Sequence, residues 1–401
     1  MSEFFAAVFG DVHLKDKIYR NRPMYGDSYF VFNAAIDIAI ENEVKVVILP
    51  GDILDKQSNN SKPITQLKAG LDKLDAAGIQ VAYIQGQHCM ADPPWPSVSK
   101  NAVHLHRNSI EVDGYTITGI DFQAKENLQD ELSWVSETLK ADPAKTILVM
   151  HQVWSPWMPD FALPQGHLDD VSGFIPELGL LVTGDLHEWK SEITSEGLIA
   201  LSPGSMCMQS ISEPEDKYVT LVEPSGRGFG IHQKKVRLPT RPFIDWPFLG
   251  TVSDIDDVMR EFDEVFDDTQ SYCEQNSLPD EMCAPLVRFR YDHSLSGDIH
   301  RLEKLVGGRG HIFWKELAPK VSEDEPGVVL GASGAVKTME SILAASADIE
   351  DLARELAERL LSGGNPEEEL NRWRKERLGP FFLAKTQELA GQPKKRKEIS
   401  G

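Results

Sequence analysis

Basic residues are scarce in this chain of 401 residues: 41 lysines and arginines face 63 aspartates and glutamates, a net charge of −22. That deficit argues against a protein that coats nucleic acid non-specifically and against one that adheres to anionic membranes. It leaves room for a nuclease, whose phosphate contacts can be local and metal-assisted. Cysteine is scarce as well. Cys89, Cys207, Cys273 and Cys283 form no CxxC pair, which speaks against a zinc finger and for reduced thiols rather than a disulfide framework. No apolar run approaches ~20 residues, and no basic segment followed by an apolar one stands at the N-terminus. The expectation is a soluble, cytoplasmic protein without membrane contact, nucleoid-associated, or in a host cytosol if viral. The apolar fraction of 41% is ordinary, and the length suits two or three domains.

What is present is a device that recurs. Phe4 to Phe9 is an apolar run ending in Gly10-Asp11-Val12-His13. Such a run reads as a buried strand, and the glycine lets the chain turn sharply at its end. An acid and an imidazole then project from the carboxyl edge, where open α/β sheets place their ligands. Val44 to Leu49 repeats the pattern and ends in Pro50-Gly51-Asp52-Ile53-Leu54-Asp55; Val81 to Gln85 ends in Gly86-Gln87-His88. Helical segments over Phe30–Ile40 and after Ser61 separate these strands. Further on, Thr146–Met150 delivers His151, and Leu180–Thr183 precedes Gly184-Asp185-Leu186-His187. The candidate donors are therefore Asp11, His13, Asp52, Gln87, His151, Asp185 and His187, with His88 beside them. Seven donors exceed what one tetrahedral ion takes and suit two ions about 3.5–4 Å apart, with Asp52 the natural bridge. The oxygen-rich set favours Mn²⁺, with Mg²⁺ second, over a structural zinc. A non-ligating imidazole could protonate a leaving oxygen, and His88 is the candidate.

Around this frame, Lys15, Lys17, Arg20 and Arg22, with Tyr19 among them, form a local cationic cluster that reads as a phosphate-contacting loop. Asp55 reads as a hydrogen-bonding residue of its turn, and His104, His106 and His167 as surface residues. The Gln152–His167 stretch, with Trp154, Trp157 and three prolines, reads as a rigid lip. From Pro242 onward, alternating helical and strand patterns to Leu317 predict a small β-α-β-α-β domain. An acidic, then Gly/Ala/Ser-rich stretch follows as a linker. Beyond it Ile349, Leu352, Leu356 and Leu360 stripe one helix, and Asn365-Pro366 with three glutamates starts another. A helical hairpin alone buries too little surface to be stable, so it must dock elsewhere. The expected division is 1–240, 241–320, a linker over 321–335, helices over 336–390 and a basic tail over 391–401.

The motif order GDxH at Asp11–His13, GDxxD at Asp52–Asp55, GxH at Gly86–His88, His151 and GxxH at Gly184–His187 resembles the calcineurin-like metallophosphoesterases. Within that superfamily the chain is similar to the SbcD-type nuclease subunits of DNA repair complexes. The Pro203-Gly204-Ser205 stretch, the layout of the second domain and the C-terminal helical pair carry that narrower likeness. The resemblance implies an α/β fold: a two-sheet sandwich flanked by helices, with a small α/β capping domain and a C-terminal helical hairpin. It implies a homodimeric, Mn²⁺-dependent exonuclease and endonuclease acting on DNA ends in repair or recombination. It also implies an SbcC-like, SMC-family ATPase partner bound through the C-terminal helices. By motif, one ion would be held by Asp11, His13, Asp52 and His187, the other by Asp52, Gln87, His151 and Asp185, leaving His88 as general acid. Two positions depart from the family's pattern: GQHC replaces GNHD, and GDLH replaces GHxH. Both departures, Gln87 and Asp185, fall on the same ion. Two other functions remain in view, a phosphodiesterase or phosphatase for small substrates and a DNA-end-binding scaffold with weakened catalysis.

Overall fold

A computed structural model of the chain describes residues 4–317 except 17, 19–25, 57–60, 159–163, 227 and 231–232. The linker, C-terminal helices and basic tail expected beyond 320 lie outside the described residues, as do Lys17, Tyr19, Arg20 and Arg22.

The long apolar runs become central strands because both of their faces are covered. In the first sheet the strands lie in the order Lys234–Arg237, Tyr218–Val222, Ala6–Val8, Val46–Pro50, Gln80–Ile84, Ala102–His104. Ala6–Val8, Val46–Pro50, Gln80–Ile84 and Ala102–His104 run parallel, with Val47 beside Ala7 and Val81 beside Val47. The second sheet runs Trp189–Ile193, Ile199–Pro203, Leu180–Gly184, Thr146–His151, Tyr115–Ile120, Ser109–Val112. There Gly184 pairs with His151, so the ends of two parallel strands coincide.

Alternation along each strand divides the core into layers. Val8, Val46, Ile48, Ala82 and Ile84 from one sheet meet Ile117, Ile147, Val149, Leu180 and Val182 from the other. Their neighbours Ala7, Phe9, Val47, Leu49 and Tyr83 face outward onto Phe32, Ile36, Leu67 and Leu71 of the helices Asp27–Glu41 and Ser61–Ala76. On the far side, Leu148, Met150 and Leu181 pack on Leu128, Leu132 and Val135 of the helix Lys125–Thr138, and on Leu168 and Val171. The result is a two-sheet sandwich flanked by helices.

After Pro242 the chain forms Phe243–Leu249, the helix Val252–Gln275, Leu286–Asp292, the helix His300–Val306 and His311–Leu317, with the three strands parallel in one small sheet. The long helix is closed at its start by a capping box of Thr251 and Asp254. Its apolar stripe, Ile255, Val258 and Phe262, lies on Phe289 and Val287. Leu286 belongs to the sandwich's outer core, and the buried pair Arg241–Asp27, bidentate at 2.7 Å, ties the start of this unit to the first helix.

Within the stretch read as a rigid lip, residues 159–163 lie outside the described ones, and Trp154 and Trp157 are turned inward. Both are buried, and Trp154 donates its Nε1 proton to Thr183 Oγ1 at 2.9 Å. The apolar area of two indoles is worth more inside the helical layer than at an edge.

Candidate metal centre

The strand-end turns bring their polar residues to one place. Three residues of these turns, His13, Asp52 and Asp185, have φ of 44°, 41° and 78°. Non-glycine residues in this left-handed region are uncommon, and such strain collects at functional sites. Gly51 has φ of 100°, and a Cβ there would stand 2.2 Å from His151 Nδ1, so only glycine lets this turn lie against the imidazole. The first two turns are zipped together by the His13 N–H donating to the Asp52 carbonyl (2.8 Å).

Asp52 stands at the middle. Its Oδ2 lies 3.6 Å from His13 Nε2, 3.4 Å from His151 Nε2 and 3.8 Å from His88 Nε2, while its Oδ1 accepts from the His88 N–H at 3.1 Å. Asp11 lies 3.7 Å from His151 Nδ1 and 3.8 Å from His187 Nε2, and accepts from the Asp185 N–H. Asp11, His13, Asp52 and His151 are buried, whereas the His88 side chain is 55% exposed.

Two second-layer contacts set the imidazoles. His151 Nδ1 donates to the Pro50 carbonyl at 2.7 Å, which leaves Nε2 facing Asp52. His187 Nδ1 pairs with Glu213 at 2.9 Å, which leaves Nε2 facing Asp11. This is how metal-ligating histidines are usually oriented. Glu213 is itself held by Ser205 Oγ (2.9 Å), by the buried Lys217 ammonium (2.8 Å) and by the N–H groups of Gln209 and Ser210. No sequence motif pointed to Glu213 or Lys217, since a lone acid and lysine in a polar stretch carry no spacing.

The electrostatics describe a pocket with surplus negative charge. Burial pushes the Asp11 carboxyl up to about 7 against the lowering effect of His151 and His187. At His151 burial opposes protonation, but the nearby carboxylates, Asp52 first and then Asp11 and Asp185, overcome it and raise the group to about 10. Asp52 is held at about 2, burial being outweighed chiefly by His151, and burial drives His13 down to about 3. The protein alone thus meets its surplus charge with protons, a task a divalent cation performs better.

The donors fit such an ion. Both ring nitrogens of His13, His151 Nε2 and Gln87 Oε1 are buried without a hydrogen-bond partner. Buried polar atoms are rarely left so. The histidine–aspartate separations of 3.4–3.8 Å exceed a good hydrogen bond. Two ligands of one ion at about 2.1 Å stand roughly 3–4 Å apart. Among the described residues no three His, Cys, Asp or Glu side chains converge on a single point. Asp185 is the least available donor, because its carboxylate accepts from Gln87 Nε2 at 2.7 Å.

Other expected residues sit as follows. Asp55 accepts from the Lys15 ammonium at 2.6 Å and lies 3.6 Å from His13 Nδ1, so Lys15 is tied to the turn. His104, read as a surface residue, is half-buried: it stacks on Tyr83 and pairs with the buried Asp121 at 2.8 Å. His106 Nδ1 accepts from the Asp121 N–H, and His167 caps the helix Leu168–Phe174.

Residues 6–189 match the family of calcineurin-like phosphoesterases. The chain carries a calcineurin-like phosphoesterase domain. Its class comprises hydrolases of phosphate esters that bind divalent metal ions, in accord with the donor set around Asp52. The chain is also similar to proteins named DNA double-strand break repair protein Mre11. It is 24% identical to that of Methanosarcina acetivorans over 324 residues, 79% of this chain and 50% of the relative. It is 26% identical to that of Sulfolobus acidocaldarius over 234 residues, 54% of this chain and 59% of the relative. The chain thus spans about half the length of the curated relatives it matches. A solved dimetal phosphatase from Danio rerio overlays with a TM-score of 0.41 at 13% identity, covering 59% of this chain and 99% of its own. No described helix is long and apolar enough to cross a membrane.

Proposed function

We propose that this protein is a Mn²⁺-dependent nuclease subunit that hydrolyses phosphodiester bonds at DNA ends. The observation that carries the reading is the set of buried, partnerless donor atoms around Asp52: His13 Nδ1 and Nε2, His151 Nε2 and Gln87 Oε1. The phosphoesterase domain supplies the reaction class, and the similarity to Mre11 proteins across 79% of the chain supports DNA as the substrate. Asp11, His13, Asp52 and His187 would hold one ion, and Asp52, Gln87, His151 and Asp185 the other. Ions so held supply an activated water and neutralise the anionic diester.

The protein's own part is positional. Asp52 accepts the His88 N–H, so the loop carrying the general acid is anchored to the bridging carboxylate. The exposed His88 ring can reach a leaving oxygen and give it a proton. Lys15, Lys17, Tyr19, Arg20 and Arg22 would contact backbone phosphates, with Lys15 steered by Asp55. The helices of 336–390 would bind an SbcC-like, SMC-family ATPase, and the working form would be a homodimer. Purified protein with Mn²⁺ and its ATPase should degrade linear and hairpin DNA. Intact DNA under those conditions refutes the reading.

The hydrogen bond between Gln87 Nε2 and Asp185 favours a second reading, an end-binding scaffold with weakened catalysis, because it engages the Asp185 carboxylate, one of the donors of the second ion. Ion stoichiometry separates the two: two tightly held ions per chain support the nuclease, and one supports the scaffold.

A further inference from the structure

The long helix Val252–Gln275 ends beside a second feature that the phosphodiesterase chemistry does not use. Cys273 sits in its last turn, and the chain then reverses through Ser277, whose φ is 51°, and the short helical turn Asp280–Met282 to reach Cys283. Leu278 N–H donates to the Cys273 carbonyl at 3.0 Å, which fixes the reversal. Cys273, Leu278 and Met282 form a small buried cluster, and Cys283 and Phe30 pack against it. The Cys283 thiol points back toward the Leu278 and Pro279 carbonyls, and its own carbonyl accepts from Gln270 Nε2 in the helix. Cys283 thus packs, across one tight reversal, against the cluster that holds Cys273.

We propose that Cys273 and Cys283 are a redox-sensitive pair that closes to a disulfide when a low-molecular-weight disulfide such as glutathione disulfide is present. Cys283 is only partly buried, whereas Cys273 is 3% exposed, so the exchange starts at Cys283. Its thiolate attacks the oxidant, a mixed disulfide forms, and one glutathione thiolate leaves. Cys273 then gives its proton to solvent and attacks the Cys283 sulfur, and the second glutathione thiolate leaves. One oxidant disulfide is reduced to two thiols, and two protein thiols become one disulfide. Burial pushes the Cys273 thiol up to about 12, so it acts second, as the resolving group, and not as the first attacker.

The closed bond would tie the end of the long helix to the segment that enters Leu286–Asp292. Phe30, on the first helix of the sandwich, rests on the same cluster, so the tie lies at the joint between the small sheet and the phosphoesterase body. The reduced form is the resting state, and oxidation stiffens the joint.

The test uses the full chain, folded and reduced, exposed to glutathione disulfide, then alkylated and mapped by mass spectrometry. The expected product has lost the mass of two hydrogens, carries a Cys273–Cys283 cross-link, and leaves two of its four thiols, Cys89 and Cys207, free to alkylate on unfolding. Cys273→Ser should stop at a stable glutathione adduct on Cys283, and Cys283→Ser should give neither adduct nor cross-link. The oxidised wild type should melt at a higher temperature than the reduced form. Four free thiols after exposure, a persistent adduct on wild-type Cys283, or a cross-link between other cysteines overturns the proposal. None of these readouts depends on nuclease activity.

Discussion

His187 Nδ1 and a carboxylate oxygen of Glu213 lie 2.9 Å apart, although 26 residues separate them in the chain. That contact leaves the other ring nitrogen facing Asp11, so a residue outside every motif decides how a motif histidine is presented. Replacing Glu213 by Gln keeps the shape and removes the charge. The expected result is a loss of about 10–100-fold in Mn²⁺ affinity, the usual cost of losing such a partner. Calorimetric titration of the ion, with circular dichroism to confirm the fold, checks it.

Ion binding should release protons. Asp11 sits at about 7 and His151 at about 10 in the protein alone, and each must be deprotonated to act as a ligand. Both groups carry a proton more readily here than their ordinary values allow, so the proton competes with the ion at low pH. Affinity should therefore rise from about pH 6 toward about pH 10, as Asp11 and then His151 give up their protons. Titrations in buffers of different ionisation enthalpy should show net proton release, and an affinity that falls over that range would contradict the assignment.

His88→Ala should lower DNA cleavage by about 10²–10⁴-fold, the span of a lost general acid. Ion affinity should barely change, because only the His88 backbone N–H is bonded to Asp52 and its ring is largely exposed. Loss of ion binding instead would place His88 among the ligands.

Gln87→Asn shortens the amide and withdraws it from the 2.7 Å bond that occupies Asp185. With the carboxylate released, a second ion should bind more tightly, read as higher stoichiometry by elemental analysis or isotherm. Unchanged binding would mean that the Gln87–Asp185 bond does not limit this position.

Gly184→Ala tests the packing of the turns. Its Cβ would fall 2.3 Å from the Pro50 carbonyl oxygen, 2.5 Å from His151 Nδ1 and 2.8 Å from Asp11 Oδ1. Backbone and buried side chains have little room to give, so the variant should lose about 1–3 kcal/mol in denaturant unfolding. It should also bind ions more weakly.

The parallel strands were legible because burial on both faces makes them nearly continuous apolar runs, and the glycine-led turns at their ends carry the donors in order. Val46–Pro50 and Thr146–His151 are such cases. Long-range polar pairs were not. His104 looks like any exposed histidine until Asp121 arrives from another strand, and Lys15 looks like a free cation until Asp55 takes its proton-rich end. The burial of Trp154 and Trp157 was not legible for a related reason: the stretch reads as a loop, and the layer of helices that buries the two rings is set by distant sequence. Glu213 and Lys217 form a pair only four residues apart, yet nothing in their spacing says that one is buried and the other steers an imidazole.

The buried Arg241–Asp27 pair has a practical bearing on how the protein can be shortened. A fragment ending at residue 240 would strip Asp27, 5% exposed, of its guanidinium and uncover the apolar surface that meets Leu286. An orphaned buried charge costs about 3–5 kcal/mol, a large share of the stability of an ordinary domain. Anyone trimming the chain for crystals or assays should keep everything through Leu317 and expect insoluble material from the shorter cut.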